Sequence, residues 1–135
     1  MAPDNTTIPY RIQYEQFQGF LSARVEAEGD PATVAAYYTE ACCRSAKDGY
    51  RKLLVDSYTR RKHWTFDDAE RVGTLVAEAA TTHGILAIAV VAHDPESNRD
   101  AEHFAVQVFK NIATEGKYFH DDIAAARAWI QSVAV

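Results

Sequence analysis

The run Ile85–Ala92 is apolar at every position and constrains the fold more than any other segment of the chain. A strand that is apolar on both faces is typical of the centre of a parallel sheet whose two faces are covered. The stretch Gly84–Ala92 is only about half as long as a membrane-spanning helix requires. The sequence therefore predicts a central, buried β-strand here, in a layered α/β domain.

A second apolar run, Lys52–Asp56, precedes the central strand and is joined to it by a predicted helix. Thr65 is the expected N-cap of that helix, and acidic residues follow in its first turn, where the helix dipole favours them. Two strands joined by one helix are expected to run parallel, with a right-handed crossover. The predicted buried stripe of the helix is Ala69, Val72, Leu75, Val76 and Ala79.

The first part of the chain predicts a hairpin and a helix. Apolar and polar residues alternate over 10–15 and again over 21–26, and the turn Phe17-Gln-Gly19 between them favours an antiparallel pair. Asp30 and Pro31 are a typical helix start, and Gly49 is a typical end. The predicted inward stripe of this helix is Val34, Tyr38, Ala41, Cys42 and Ser45.

The last part of the chain predicts two more helices around a short strand. Asp100 and Gly116 are the expected limits of one helix, Lys117–Phe119 reads as a short strand, and Asp121 or Asp122 caps the final helix. The chain is thus expected to form one α/β domain over residues 8–135. It has a mixed four- or five-stranded sheet, four helices and a frayed N-terminus over residues 1–7.

Composition narrows the classes of partner. The formal charge is −5 and the isoelectric point about 5.5, which argues against nonspecific nucleic-acid binding and against an anionic membrane surface. Cys42 and Cys43 are adjacent and poorly placed to bond each other. Reduced thiols, the absence of a visible secretory signal and the absence of a long apolar stretch predict a cytoplasmic protein with no membrane span.

The chain resembles the SpoIIAA-like group, whose fold is that of the STAS domain, named for sulfate transporters and anti-sigma-factor antagonists. The resemblance lies in the opening hairpin, the two apolar strands and the ending Phe119–Ile130, an acidic helix start followed by an Ala-rich helix that carries Trp-Ile. It implies a STAS-like fold over about residues 8–132 and a regulatory role through protein binding.

The same resemblance implies candidate phosphorylation sites. In anti-sigma antagonists, a serine in an Asp-Ser-Ser-Gly setting begins the helix after the central strand, and its phosphorylation abolishes partner binding. Here Asp56-Ser57 has no glycine after it, and the helix begins eight residues later, at Thr65. Ser57 and Thr65 are the candidates by location.

The loop after the strand ending at Asp56 is the predicted working surface, because ligands of open α/β sheets bind at the carboxyl ends of the strands. Helix N-termini at this edge favour anions. We expect a non-catalytic module, without a cofactor, that binds a protein or a small acidic or amphipathic ligand; exposed strand edges also allow a homodimer. The predicted binding residues are Asp56, Ser57, Tyr58, Arg60, Arg61, His63, Trp64, Thr65 and His93.

Other interpretations of these residues stay open at this point. Arg60–Lys62 are equally consistent with a solvated loop, and Trp64 with a hydrophobic staple on Ala69. A phosphorylation-switched, antagonist-like protein is the first functional alternative.

The second functional alternative is a hydrolase or transferase that uses Ser57 with His63 or His93, although no Gly-x-Ser-x-Gly elbow or Gly-rich phosphate loop is present. His83, His93 and His103 recur every ten residues, a spacing that matches no common metal-ligand pattern, so no metal site is expected.

Overall fold

A computed structural model describes residues 10–61, 64–93 and 115–134 of the chain. Five strands and three helices lie in these ranges. In chain order they are β1 (Tyr10–Phe17), β2 (Phe20–Gly29), α1 (Pro31–Lys47), β3 (Lys52–Arg61), α2 (Phe66–Thr82), β4 (Ala87–Ala92), β5 (Glu115–His120) and α3 (Ile123–Ser132).

The strands form one sheet in the order β1-β2-β3-β4-β5. β1 and β2 are an antiparallel hairpin, and β2, β3, β4 and β5 run parallel to one another. The predicted mixed α/β fold with a four- or five-stranded sheet is therefore confirmed, and the sheet has five strands in the described ranges. Gly19, in the hairpin turn, has a φ of +93°, a conformation that a residue without a Cβ adopts readily.

The helix boundaries agree with the capping signals in the sequence. The Asp30 side chain accepts a hydrogen bond from the Thr33 N–H at 3.2 Å and begins α1. Thr65 begins α2 through a reciprocal capping box, in which Thr65 and Asp68 each accept from the other's backbone N–H at 3.0 and 2.9 Å. Each exchange satisfies a donor that the first helical turn would otherwise leave unpaired.

The two faces of the sheet carry separate apolar clusters. On the face covered by α1 and α2, here called the α1/α2 face, strand residues such as Leu53 and Val55 pack against Tyr37 and Tyr38. On the opposite face, here called the α3 face, the cluster is smaller. Its buried members are Phe20, Leu54, Ala87, Ala89, Val91, Ala126 and Ile130.

Three sequence-based details need correction or lie outside the described ranges. Leu75 was predicted inside the α2 stripe but is 46% exposed, while Ala77 and Ala80 are buried, because the buried side of α2 is rotated toward those positions. The described ranges contain three helices where four were predicted; the predicted helix from Asp100 lies outside them apart from its expected end, Gly116, which is in β5.

Other outcomes concern the termini, the thiols and the membrane. The predicted frayed segment 1–7 also lies outside the described residues. Both cysteines are free; Cys42 is buried in α1, and burial raises the pKa of its thiol to about 12, whereas Cys43 is exposed. None of the helices in the described ranges has both the length and the apolar character needed to cross a membrane.

Candidate functional site

The parallel sheet brings three polar side chains together at its carboxyl edge. Asp56 lies in β3, His93 directly follows β4, and Asp121 directly follows β5. The backbone N–H of Asp121 donates to the carbonyl of Ala92 at 2.8 Å, which extends the strand pairing by one residue and holds Asp121 beside His93. Side chains from three neighbouring strands of the sheet therefore meet at one point.

His93 bridges the two carboxylates. Its Nε2 lies 2.6 Å from Oδ1 of Asp56, and its Nδ1 lies 2.7 Å from Oδ1 of Asp121. An ionised carboxylate only accepts hydrogen bonds, and a neutral imidazole has one N–H to donate. Both contacts are satisfied together when His93 is the doubly protonated imidazolium. We call Asp56, His93 and Asp121 the carboxylate–imidazole clamp.

The pKa values of His93 and Asp121 are shifted in the directions that favour their charged forms. Burial by itself lowers the pKa of His93, but hydrogen bonds to Asp121 and Asp56, together with their charges, outweigh it and the net pKa is raised. The hydrogen bond to His93 lowers the pKa of Asp121. Both shifts favour the charged forms of the partners in the same pH range.

The clamp fixes the start of α3. Asp121 has a φ of +52°, a left-handed conformation that Asp adopts more readily than most residues with a side chain. The next residue, Asp122, is the N-cap of α3 and accepts from the Ala125 N–H at 3.0 Å. The sequence left open which aspartate caps the helix. In the structure, Asp122 caps α3 and Asp121 contacts His93.

Two further side chains stack on the clamp. The Tyr58 ring lies on the His93 ring with centroids 4.2 Å apart and planes 11° from parallel. The guanidinium carbon of Arg24 lies over the Tyr58 ring, 4.5 Å from its centre. Tyr58 is 38% exposed, so the stack reaches the surface and forms an ordered aromatic and cationic patch.

Ser57 points away from the clamp. Its hydroxyl lies 3.3 Å from the Tyr37 hydroxyl and 3.3 Å from Oγ1 of Thr59, and its side chain is buried. Successive residues of a strand face opposite sides of the sheet, so Ser57 lies on the α1/α2 face while Asp56 and Tyr58 lie on the α3 face. The predicted pairing of Ser57 with His93 is therefore wrong.

Trp64 and Thr65 have different environments. The Trp64 ring is buried in the cluster of the α1/α2 face, and its Nε1 donates to the carbonyl of Gly29 at the end of β2. These contacts agree with the packing interpretation of Trp64, because Ala69 belongs to the same cluster. Thr65 is exposed at the N-cap of α2.

The prediction that the strand ends at Asp56 is wrong, because β3 stays paired with β2 as far as Arg61. The remaining predicted site residues lie at or beyond this end of β3. Arg60 and Arg61 are its last two residues, in register with Glu28 and Gly29 of β2. His63 lies outside the described residues. Of the predicted set, the structure thus brings together Asp56, Tyr58 and His93 on one face.

Sequence reasoning missed Arg24 and Asp121 as members of the site. The signal for Asp121 was the doublet Asp121-Asp122, in which one helix start needs only one cap and leaves a second carboxylate for another contact. Arg24 carried no comparable signal. It reaches the site because the parallel register places it opposite Asp56, and register between parallel strands is a tertiary property.

No group of three or more His, Cys, Asp and Glu side chains within the described ranges is arranged to hold a metal ion. In the clamp, each ring nitrogen of His93 already faces a carboxylate, which leaves neither for a metal. His83 is the C-cap of α2, at the other end of that helix from the candidate edge. His103 lies outside the described residues.

Comparison with protein-family models finds no match to this chain, and comparison with curated proteins finds none either. Among solved structures, a similar chain occurs in the crystal structure of diguanylate cyclase SiaD in complex with its activator SiaC from Pseudomonas aeruginosa. The similarity covers 81% of this chain and 89% of that chain, at 17% identity and a TM-score of 0.42. So loose a similarity supports no conclusion about activity, and the SpoIIAA-like resemblance stays a prediction.

Proposed function

We propose that this chain is a non-catalytic regulatory module that binds a protein partner through the carboxyl edge of its sheet. The observation that carries the proposal is the carboxylate–imidazole clamp with Tyr58 and Arg24 stacked on it. Aromatic and arginine side chains that are held in place before binding lose little conformational entropy when a partner docks, and these residue types are enriched at interfaces.

The clamp is built for structure rather than for proton transfer. A general base needs a ring nitrogen directed at the proton that it removes. Both ring nitrogens of His93 face carboxylates, and Ser57 lies on the opposite face of the sheet. These contacts support a binding role over a hydrolase or transferase built on Ser57.

A second exposed aromatic ring lies near the same edge. Phe66 is the first residue of α2 and is 63% exposed, directly after the N-cap Thr65. Single exposed apolar side chains are common on protein surfaces. With Tyr58 on the α3 face and Phe66 at the start of α2, the proposed docking edge has an exposed aromatic ring on each side of the sheet.

Site-specific photo-crosslinking in the native cell tests the proposal. A benzoylphenylalanine at position 58 or 66 should give one dominant crosslinked protein, identified by mass spectrometry. A product of twice the chain mass would identify a second copy as the partner. The matched control is the same group at Leu75, which is 46% exposed on α2 away from the edge.

Loss of the patch should abolish the crosslink. Arg24→Gln removes the cation from the stack without touching the clamp, so the position-66 crosslink should fall strongly while the fold is retained. Equal crosslinking from positions 58, 66 and 75, or an unchanged product in Arg24→Gln, would rule out this edge as the binding surface.

Phosphorylation control is the second candidate, and the exposure of Thr65 favours it. Thr65 is exposed at a helix N-terminus, whereas the Ser57 hydroxyl is buried against Tyr37. A phosphate on Thr65 would add about −1.5 to −2 charges beside Asp67 and Asp68, close to the proposed docking edge. Of the two candidate sites, Thr65 is therefore the one that a kinase reaches without opening the fold.

Intact-mass measurement on protein from its native cell tests the switch. A mass increase of one phosphate that disappears in Thr65→Ala but persists in Ser57→Ala supports it. Unmodified protein under every growth condition sampled argues against the switch and leaves the docking proposal standing.

A further inference from the structure

The α3 face contains a polar cavity on the side that α3 does not cover. Its volume is about 310 Å³, at the lower end of the ~300–1,000 Å³ typical of small-molecule pockets. Strand register builds its floor: Ser22 lies opposite Glu15, and Arg24 lies between Gln13 and Asp56. The lining residues are Gln13, Tyr14, Glu15, Ser22, Arg24, Asp56 and Arg127.

Ser22 is the most informative residue of the lining. It is 5% exposed, and its hydroxyl makes no hydrogen bond within the part of the chain that the structure describes. Buried hydroxyl groups are nearly always paired, since an unpaired one costs free energy that folding does not recover. The Ser22 hydroxyl lines the cavity and has no partner among the described residues, so it can pair with a polar molecule that enters there.

The charged groups of the cavity are of both signs. The Asp56 carboxylate is buried in the floor, and Arg24 and Arg127 lie at the sides. The contact of Arg127 with Glu15 measures 4.0 Å, the outer limit of an ion pair, and its guanidinium carbon lies 5.1 Å from the centre of the Phe17 ring. Arg24 is held by the Tyr58 ring rather than by a close carboxylate of the described residues.

We propose that this cavity binds a small zwitterionic solute of amino-acid size. The carboxylate of the solute lies between Arg24 and Arg127, whose planar guanidinium groups match it in charge and geometry. Its ammonium group donates to the Asp56 carboxylate and to the Ser22 hydroxyl. A dianion would meet Asp56 and Glu15 with like charge, and a diamine would meet the two arginines.

The proposal does not depend on the docking edge. It uses Ser22 and Arg127, which the proposed partner surface does not include, and a free solute rather than a protein. The cavity and the docking edge share Arg24 and Asp56. A solute bound in the cavity would therefore also affect the position of Arg24 on the Tyr58 ring.

An NMR titration of the full chain with three five-carbon probes tests the proposal. L-glutamine carries one ammonium and one carboxylate, glutarate carries two carboxylates and cadaverine carries two ammonium groups. L-glutamine should give saturable amide shifts at Ser22, Arg24 and the Arg127 side chain. Its affinity should exceed that of either control by about tenfold, since each control loses one charge-assisted contact and gains a repulsive one.

Three variants separate binding from packing. Ser22→Val replaces the hydroxyl by methyl groups and suits a strand, so it should weaken L-glutamine binding by about tenfold or more. Thr74→Val, at an exposed hydroxyl of α2, is the control and should leave binding unchanged. Arg127→Gln, on the exposed side of α3, gives the same test if Ser22→Val fails to fold.

Two outcomes would overturn the proposal. One is L-glutamine binding that is no tighter than that of glutarate or cadaverine. The other is no saturable shift with any probe. A higher urea midpoint in Ser22→Val would then identify the Ser22 hydroxyl as an unpaired polar group that serves no ligand.

Discussion

The two faces of the sheet are built from neighbouring residues of the same strands, yet they differ in kind. Leu53 and Leu54 are adjacent in β3 and both fully buried. Leu53 lies under α1 and α2 in the larger cluster, and Leu54 lies under α3 in the smaller one. The α1/α2 face is a continuous apolar core. The α3 face gives way, along β2 and β3, to Ser22, Arg24 and Asp56, and this polar part carries both proposed sites.

The difference teaches that one sheet can separate stability from function by face. A large apolar cluster sets most of the folding free energy. Once one face supplies that energy, the other can carry buried polar groups whose free energy depends on hydrogen bonds and partners. The clamp and the cavity both lie on the face that contributes less apolar packing.

The largest expected effect is a direct test of this comparison. Leu53→Ala should destabilise the fold by about 3–5 kcal/mol and Leu54→Ala by about 2–3 kcal/mol, because the single helix α3 can relax toward a cavity more easily than two packed helices. Urea unfolding of the two variants measures both values. Equal losses, or a larger loss for Leu54→Ala, would show that the two faces contribute alike.

Lys52 gives the next largest effect and concerns how α3 is held. Its buried ammonium group donates to the carbonyls of Gln131 and Val133, at 3.2 and 3.0 Å, at the end of α3. Lys52→Met should leave these carbonyls unpaired and cost about 1–3 kcal/mol. Hydrogen exchange should locate the loss in α3 rather than α1. Lys47→Met, at an exposed position of α1, is the control and should change little.

The smallest effect is a pH dependence confined to the clamp. The pKa of His93 in the folded protein is raised above its ordinary value of 6.5. Its contribution to the free energy of unfolding is therefore complete below pH 6.5 and is lost as the pH rises through the raised pKa. The pKa of Asp121 in the folded protein is lowered below its ordinary value of 3.8. Its contribution to the free energy of unfolding is therefore complete above pH 3.8 and is lost as the pH falls through the lowered pKa. The clamp is therefore strongest between about pH 4 and pH 6.5.

Asp121→Asn should flatten the decline in stability between mildly acidic and mildly basic pH, measured as urea midpoints. Asp122→Asn is a matched control, because asparagine also caps helices and the clamp is untouched. Nitrogen-15 NMR of His93 should show both ring nitrogens protonated in the stable range. A neutral ring with one protonated nitrogen there would contradict the geometry of the clamp.

Elements with strong local signals were predictable, and contacts between elements were not. Asp30-Pro31 and Thr65 marked helix starts because a cap acts on the backbone N–H groups of the next three residues. Leu75 was misplaced because periodicity sets the spacing of a buried stripe but not where the helix meets the sheet. Ser57 stands beside Asp56 in the sequence, but the pleat places their side chains on opposite faces of the sheet, and no local pattern shows what each of them contacts.

By itself, the sequence determined that Ile85–Ala92 would carry a buried parallel strand, that a hairpin would precede it, and that Asp56 and His93 would lie at one sheet edge. These follow from periodicity and capping, which act over a few residues. Only the tertiary structure decided that His93 lies between Asp56 and Asp121, that Arg24 lies opposite Asp56, and that the Ser22 hydroxyl lines a cavity with no hydrogen-bond partner among the described residues. Such contacts depend on the register between strands and on the position of α3 on the sheet. Both are set by packing between distant parts of the chain.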